Sequence, residues 1–126
     1  MRIFVYGTLM KGYAGHVAYL AGKEPEAEGY IHGKMYHLPE GYPTAIFTPG
    51  FRIYGEVYDI DEETMHRIRE YEDVFEAEPI YEERTADVYT DKGVICAAVF
   101  FASKTFEEHA GASGVHVPSG RWSGGL

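Results

Sequence analysis

Glu72 stands where a carboxylate is expensive. The stretch from Glu62 to Tyr71 or Glu72 reads as a helix: Asp61 is a good N-cap, Glu62 and Glu63 suit the positive end of the dipole, and Ile60 and Met65 have the spacing of a hydrophobic staple. Met65 and Ile68 define its inward stripe, and a step of roughly 100° per residue puts Glu72 between them in angle. An ionised carboxylate on that stripe loses hydration, which raises its pKa unless a cation or several N–H donors compensate. Glu72 is therefore a candidate general base. The alternative is a helix already frayed at Glu72, with the side chain turned to solvent or paired with Arg69 or Arg84. Glu62, Glu63 and Glu70 fall on the outer face, where charge is expected.

A second group of residues could bind what such a base acts on. "YGTLMKG", residues 6 to 12, closes the first apolar run of the chain with two glycines and a threonine. Gly7, Thr8 and Leu9 could present consecutive backbone N–H groups to an anion, with Gly7 keeping side-chain bulk away from the ligand. Gly7 and Gly12 could equally do no more than turn the chain between strand and helix.

These residues need elements to hold them, and most of the chain reads as strand. Arg2 to Tyr6 is the first, followed by a short helix in "AGHVAYLAG", with Val17 and Leu20 at helical spacing and Gly22 as its stop. "AEGYIHGKMYHL" (27 to 38), "TAIF" (44 to 47) and "FRIYGEVYDI" (51 to 60) are rich in aromatic and β-branched residues. "PIYEERTADVYT" and "VICAAVFFA" flank the turn signal Asp91-Lys92-Gly93 and predict an antiparallel hairpin. Six strand-like runs against one strong helix predict a small α+β domain, a mainly antiparallel sheet curving into a barrel with flanking helices. The Gly- and Ser-rich end is read as an extended arm, so the chain is expected to be one domain over 1–126 with 103–126 as a C-terminal arm.

Composition narrows the function. A chain of 126 residues, 45% hydrophobic, can bury a stable core, and no apolar run approaches the roughly 18 residues of a membrane span. The formal charge of -9 argues against nucleic acid, whose phosphates need a concentrated Lys/Arg surface. With one cysteine and no basic and apolar leader, the expectation is a reducing, cytoplasmic setting. The six histidines show no metal-ligand spacing, and neither metal nor cofactor is expected. Cys96, inside "VICAAVFFA", reads as a small apolar core residue. Glu56, sharing a strand face with Tyr54 and Tyr58, reads as a solvated charge or a second site carboxylate.

"VYGTLMKG", "GYPTAIFTPG", "IYGEVYDIDEETMHRIREYED" and "YEERTADVYT", in this order over about residues 2 to 102, resemble the gamma-glutamylcyclotransferase-like, or AIG2-like, superfamily, and its small gamma-glutamylamine cyclotransferase-type members most. The resemblance implies that family's barrel-like fold. It implies that Tyr6, Gly7, Thr8 and Leu9 bind substrate, that Glu72 in "REYED" is the acid and base, and that Tyr81 lies near the substrate. Asp73 stands where the family often has glycine, and Tyr81-Glu82-Glu83-Arg84 where Tyr-x-Arg is expected. The ending "VPSGRWSGG" is similar to the family's "SGDW", with Arg121 in place of the acid, and makes Trp122 a candidate pocket-lining residue. The implied chemistry is release of 5-oxoproline and a free amine from a γ-glutamyl amine or peptide, by attack of the substrate's α-amino group on its own γ-carbonyl. A non-catalytic small-ligand binding or interaction module on the same fold is the alternative, and hydrolysis by water would use the same residues. The partner is then a small γ-glutamyl molecule; the oligomeric state is left open.

Overall fold

The computed structural model describes residues 1–72 and 79–124. The elements, in chain order, are β1 (Arg2–Val5), α1 (Ala14–Tyr19), β2 (Ala27–His32), β3 (Lys34–His37), β4 (Pro43–Ile46), β5 (Arg52–Asp59), α2 (Glu62–Tyr71), β6 (Tyr81–Thr90), β7 (Gly93–Ala102), α3 (Lys104–Ser113) and β8 (Val115–Val117). Five strands close a barrel in the order β1-β5-β2-β6-β7, antiparallel throughout except where β1 meets β7 in parallel at Ile3 and Ala98. The mixed, mainly antiparallel barrel with flanking helices is the architecture the strand-like runs predict. A second sheet, in the order β4-β3-β8, stands beside it.

Alternation along β1 sorts the core into two. Phe4 and Tyr6 join Ile31, Ile53, Val57, Val99 and Phe101 in one cluster, which Met35, Ala45 and Trp122 complete. Ile3 and Val5, on the other face, pack with Tyr58 and Phe100 beneath Leu20, Met65 and Ile68. Helix α2 forms for the reasons its sequence gives. The Asp61 carboxylate accepts from the Thr64 N–H at 2.8 Å, and Met65 and Ile68 are fully buried. Burial of two such side chains stabilises the helix against the barrel by roughly 1.5–3 kcal/mol each.

Three expectations are corrected. Residues 27 to 38 do not make one strand: the chain breaks at Gly33, where a Cβ would lie 2.9 Å from the Ile53 side chain, and passes from the barrel to the second sheet. The C-terminal arm carries more structure than its glycines suggest, because the Ser103 hydroxyl caps α3 by accepting from the Phe106 N–H, and β8 pairs with β3. Cys96 is exposed, opposite Asp87 on the outward side of the hairpin, so it is no core residue. Among the described residues no helix is long and apolar enough to cross a membrane.

Candidate active site

Beyond the end of β1 the chain turns sharply, and its backbone is used unevenly. The carbonyls of Gly7, Thr8 and Leu9 are all engaged: Gly7 accepts from the Met10 N–H at 3.0 Å, Thr8 from the His16 N–H at 3.2 Å, and Leu9 from Nδ1 of buried His16 at 3.2 Å, a contact that needs the proton on Nδ1. The N–H groups of the same three residues donate to no acceptor among the described residues. Helix α1 holds the carbonyl side close, since a Cβ on its Gly15 would lie 2.6 Å from the Thr8 oxygen. The turn is thus pinned by its acceptors and leaves its donors unused.

Gly7 has a structural reason of its own. A Cβ there would lie 2.6 Å from Cγ of Pro43, whereas its φ is not in the left-handed region. The glycine therefore admits the Pro43 ring, a close approach that any side chain at position 7 would block. Gly12, with φ at 99°, does serve the turn.

Helix α2 supplies the opposite wall. Glu72 caps its C-terminus with φ -86° and ψ 8°, is half-buried, and borders a cavity of about 350 Å³. Tyr6, Gly7, Thr8, Leu9 and Tyr81 border the same cavity, so the six residues the sequence singled out meet at one place. The two cations offered as alternative partners of Glu72 are engaged with other carboxylates: Arg69 Nε and Nη2 donate to Glu83 at 2.6 and 3.1 Å, and Arg84 pairs with Glu82.

Two buried phenols line the same cavity. Tyr6 donates to the Phe100 carbonyl at 2.6 Å and Tyr81 to the Pro43 carbonyl at 3.0 Å. Burial raises both pKa values well above the ordinary tyrosine range; next come the Tyr81 phenol and the Glu72 carboxylate for Tyr6, and Glu72 for Tyr81. Both remain neutral at any physiological pH. Their hydrogens are committed to carbonyls, and each oxygen, with two lone pairs, already faces one protein donor, the Ala45 backbone for Tyr6 and the Thr44 side chain for Tyr81, which leaves one acceptor position on each.

Sequence reasoning missed Tyr71. Its hydroxyl lies 2.8 Å from Thr8 Oγ1, and its ring packs against Tyr19 with centroids 4.9 Å apart, so it ties the helix end to the turn. Its place beside Glu72 in "REYED" was the available signal. Tyr42 and Pro43, from the quoted "GYPTAIFTPG", also line the cavity, with Ile80 and Phe100. Trp122 lines a different cavity, and Glu56 lies there with it.

Against known proteins, the family described as "Gamma-glutamyl cyclotransferase, AIG2-like" matches residues 3–124. The chain belongs to that family. The AIG2-like relatives include YkqA of Bacillus subtilis, 32% identical over 124 residues, a match covering 95% of this chain and 40% of YkqA. The crystal structure of YkqA superposes with a TM-score of 0.73 at 27% identity, over 96% of this chain and 39% of that one. The gamma-L-glutamyl-butirosin B gamma-glutamyl cyclotransferase of Niallia circulans is 33% identical over 74 residues, 59% of this chain and 47% of that enzyme. This chain thus spans less than half the length of both. An AIG2-like protein from Mus musculus shares the fold, with a TM-score of 0.73 at 21% identity over 96% of this chain and 92% of that one.

Proposed function

We propose that the chain is a cyclotransferase that releases 5-oxoproline and a free amine from a γ-glutamyl amide. The observation that carries the reading is a single cavity bordered both by a turn whose three N–H donors have no acceptor among the described residues and by a half-buried carboxylate. A γ-glutamyl group bears an ammonium and a carboxylate on one carbon, so its site must offer an acceptor and donors within a few ångströms of each other. Family membership and the Niallia circulans relative support the same substrate class.

In this mechanism the N–H groups of residues 7 to 9 hold the α-carboxylate or the developing oxyanion. Glu72 takes a proton from the α-ammonium, and the freed amine attacks the γ-carbonyl carbon. A C–N bond forms to close the five-membered lactam. The tetrahedral centre then collapses, the bond to the leaving nitrogen breaks as Glu72 returns the proton to that nitrogen, and the second proton, still on the lactam nitrogen, passes by way of Glu72 to the departing amine, which leaves as an ammonium. No water is consumed. The oxygens of Tyr6 and Tyr81 accept from the ammonium and keep it folded toward the carbonyl. Nucleophile and electrophile belong to one molecule, and holding it folded draws on an effective-molarity advantage that can reach roughly 7–11 kcal/mol.

The test is product identity. Incubation with γ-glutamyl amines should release 5-oxoproline and amine in equal amounts, read by chromatography. Glutamate in place of 5-oxoproline would mean that water, not the α-amine, is the nucleophile, and binding without turnover would mean a non-catalytic module.

A further inference from the structure

One buried side chain stands behind the donors of the turn. A trans peptide plane carries its C=O and N–H in opposite directions, so a partner on a carbonyl fixes where the N–H of the next residue points. The Leu9 N–H shares its plane with the Thr8 carbonyl, which accepts from the backbone N–H of His16 at 3.2 Å. The Thr8 N–H shares its plane with the Gly7 carbonyl, which accepts from the Met10 N–H at 3.0 Å. That Met10 N–H shares its own plane with the Leu9 carbonyl, on which Nδ1 of His16 donates at 3.2 Å. Two routes of hydrogen bonds thus begin at His16. Each ends at an N–H that has no acceptor among the described residues, on a residue that borders the cavity.

His16 is itself held from behind. Only 7% exposed, its ring packs on that of the fully buried Tyr58 with centroids 5.5 Å apart, and the Tyr58 hydroxyl is tied to Glu56 at 2.8 Å. The histidine does not border the cavity, so it acts on a bound molecule only through the turn. Its Nδ1–H polarises the Leu9 carbonyl, and bonds in such a series strengthen one another by on the order of 10–30% each. A substrate oxygen that accepts from Thr8 and Leu9 completes both routes.

We infer that His16 is the positioning residue of the clamp: its Nδ1–H, by way of the Leu9 and Gly7 carbonyls, holds the Thr8 N–H toward the substrate oxygen, while its backbone N–H does the same for Leu9. The effect on turnover rests on the cyclotransferase reading, and the experiment separates the two. His16→Leu keeps apolar bulk and removes the side-chain donor. His16→Asn gives up the ring against Tyr58 but places an amide N–H where Nδ1–H was. With both variants folded by circular dichroism, kcat/KM for release of 5-oxoproline from γ-glutamyl-isopropylamide should fall roughly 3- to 10-fold in His16→Leu, the worth of one hydrogen bond, and stay within about twofold of wild type in His16→Asn. Should the leucine variant not fold, His16→Gln, whose amide reaches the place of Nε2 instead, takes its part. Wild-type turnover without the donor, or equal losses in both variants, overturns the inference and leaves the cyclotransferase standing. If the wild-type chain releases no 5-oxoproline, the cyclotransferase reading fails and the backbone amide NMR resonances of Thr8, Leu9 and Met10 decide alone. Displaced together in His16→Leu and near their wild-type positions in His16→Asn, they support the positioning role; unmoved, or displaced alike in both, they overturn it.

Discussion

Two cavities of similar size, one bordered by residues 6 to 9 and the end of α2, the other by Met10, Tyr54 and Trp122, differ in their claim to chemistry. The second, of about 410 Å³, is lined by Met10, Glu28, Tyr54, Glu56, Arg121 and Trp122, among others, and holds two carboxylates and a guanidinium. By residue type it is the richer site; its Glu56 carboxylate and Arg121 guanidinium have partners, while the buried Trp122 Nε1 has none among the described residues. Glu56 accepts from the Lys11 N–H at 2.9 Å and from the Tyr58 hydroxyl at 2.8 Å, which offsets its position directly opposite Glu28 across the β2–β5 ladder. Arg121 lies over the Tyr54 ring at 3.9 Å. Among the described residues, the cavity between the turn and α2 has fewer charges but three backbone donors with no acceptor. A site is marked by polar groups left unpaired at an opening, since folding satisfies such groups wherever nothing else will.

The comparison is broken or sustained first by a pair of substitutions of the same kind. Glu72→Gln should lower kcat for 5-oxoproline release by on the order of 10²- to 10⁴-fold with the circular dichroism spectrum unchanged, because the amide keeps shape and polarity but transfers no proton. Glu56→Gln should leave kcat within about twofold, its carboxylate being engaged in holding Lys11 and Tyr58. Equal losses would erase the distinction between the cavities. A smaller effect is expected from Gly7→Ala, whose methyl would meet the Pro43 ring at 2.6 Å. Overpacking of this kind costs about 1–3 kcal/mol, and a urea melt should record it as a lower midpoint at constant slope.

How much of this was legible beforehand divides along the same line. Helix α2 was readable to the residue because its cap, dipole and apolar stripe all agree locally, and the β6–β7 hairpin because Asp91-Lys92-Gly93 admits few other conformations. Glu72 lies one residue past that helix, as its half-buried C-cap at the cavity edge rather than on the buried stripe formed by Met65 and Ile68. Helix α3 was not readable, since only Phe106 and Ala110 mark its inward side and Gly111 and Gly114 dilute the pattern; the Ser103 cap was its one clear signal. Trp122 belongs to the core cluster by long-range packing, stacked on His37 with centroids 5.0 Å apart, which no local pattern encodes. Cys96 misled because an apolar run says nothing about which face of a hairpin the barrel buries.

Alkaline pH probes the buried phenols of the site. Tyr81 has a folded-state pKa raised above the ordinary value near 10, so from about pH 10 upward the unfolded chain loses a proton that the folded chain keeps. Stability therefore falls as pH rises past the unfolded value, by about 1.4 kcal/mol at pH 11 from Tyr81 alone. Tyr81→Phe should reduce the slope of stability against pH between about pH 10 and 12 by one proton's worth, measured by denaturant titration at each pH. An unchanged slope would mean that Tyr81 titrates normally in the folded chain.

The smallest effect expected is the most specific to the geometry. Glu72 and the N–H donors belong to different parts of the chain, and Tyr71, next to Glu72, meets Thr8 with the hydroxyls 2.8 Å apart at an exposed edge of the cavity. Tyr71→Phe removes that bond and keeps the ring against Tyr19. The stability loss should be about 0.5–1.5 kcal/mol, the net value of one hydrogen bond. If the bond only held the helix end, turnover at saturating substrate would be untouched. If it sets the distance between base and clamp, kcat should fall by roughly 2- to 10-fold beyond any change in KM, because proton transfer is sensitive to a displacement of even an ångström. Thr8→Val should reproduce that loss and Thr8→Ser should not, since serine keeps the hydroxyl.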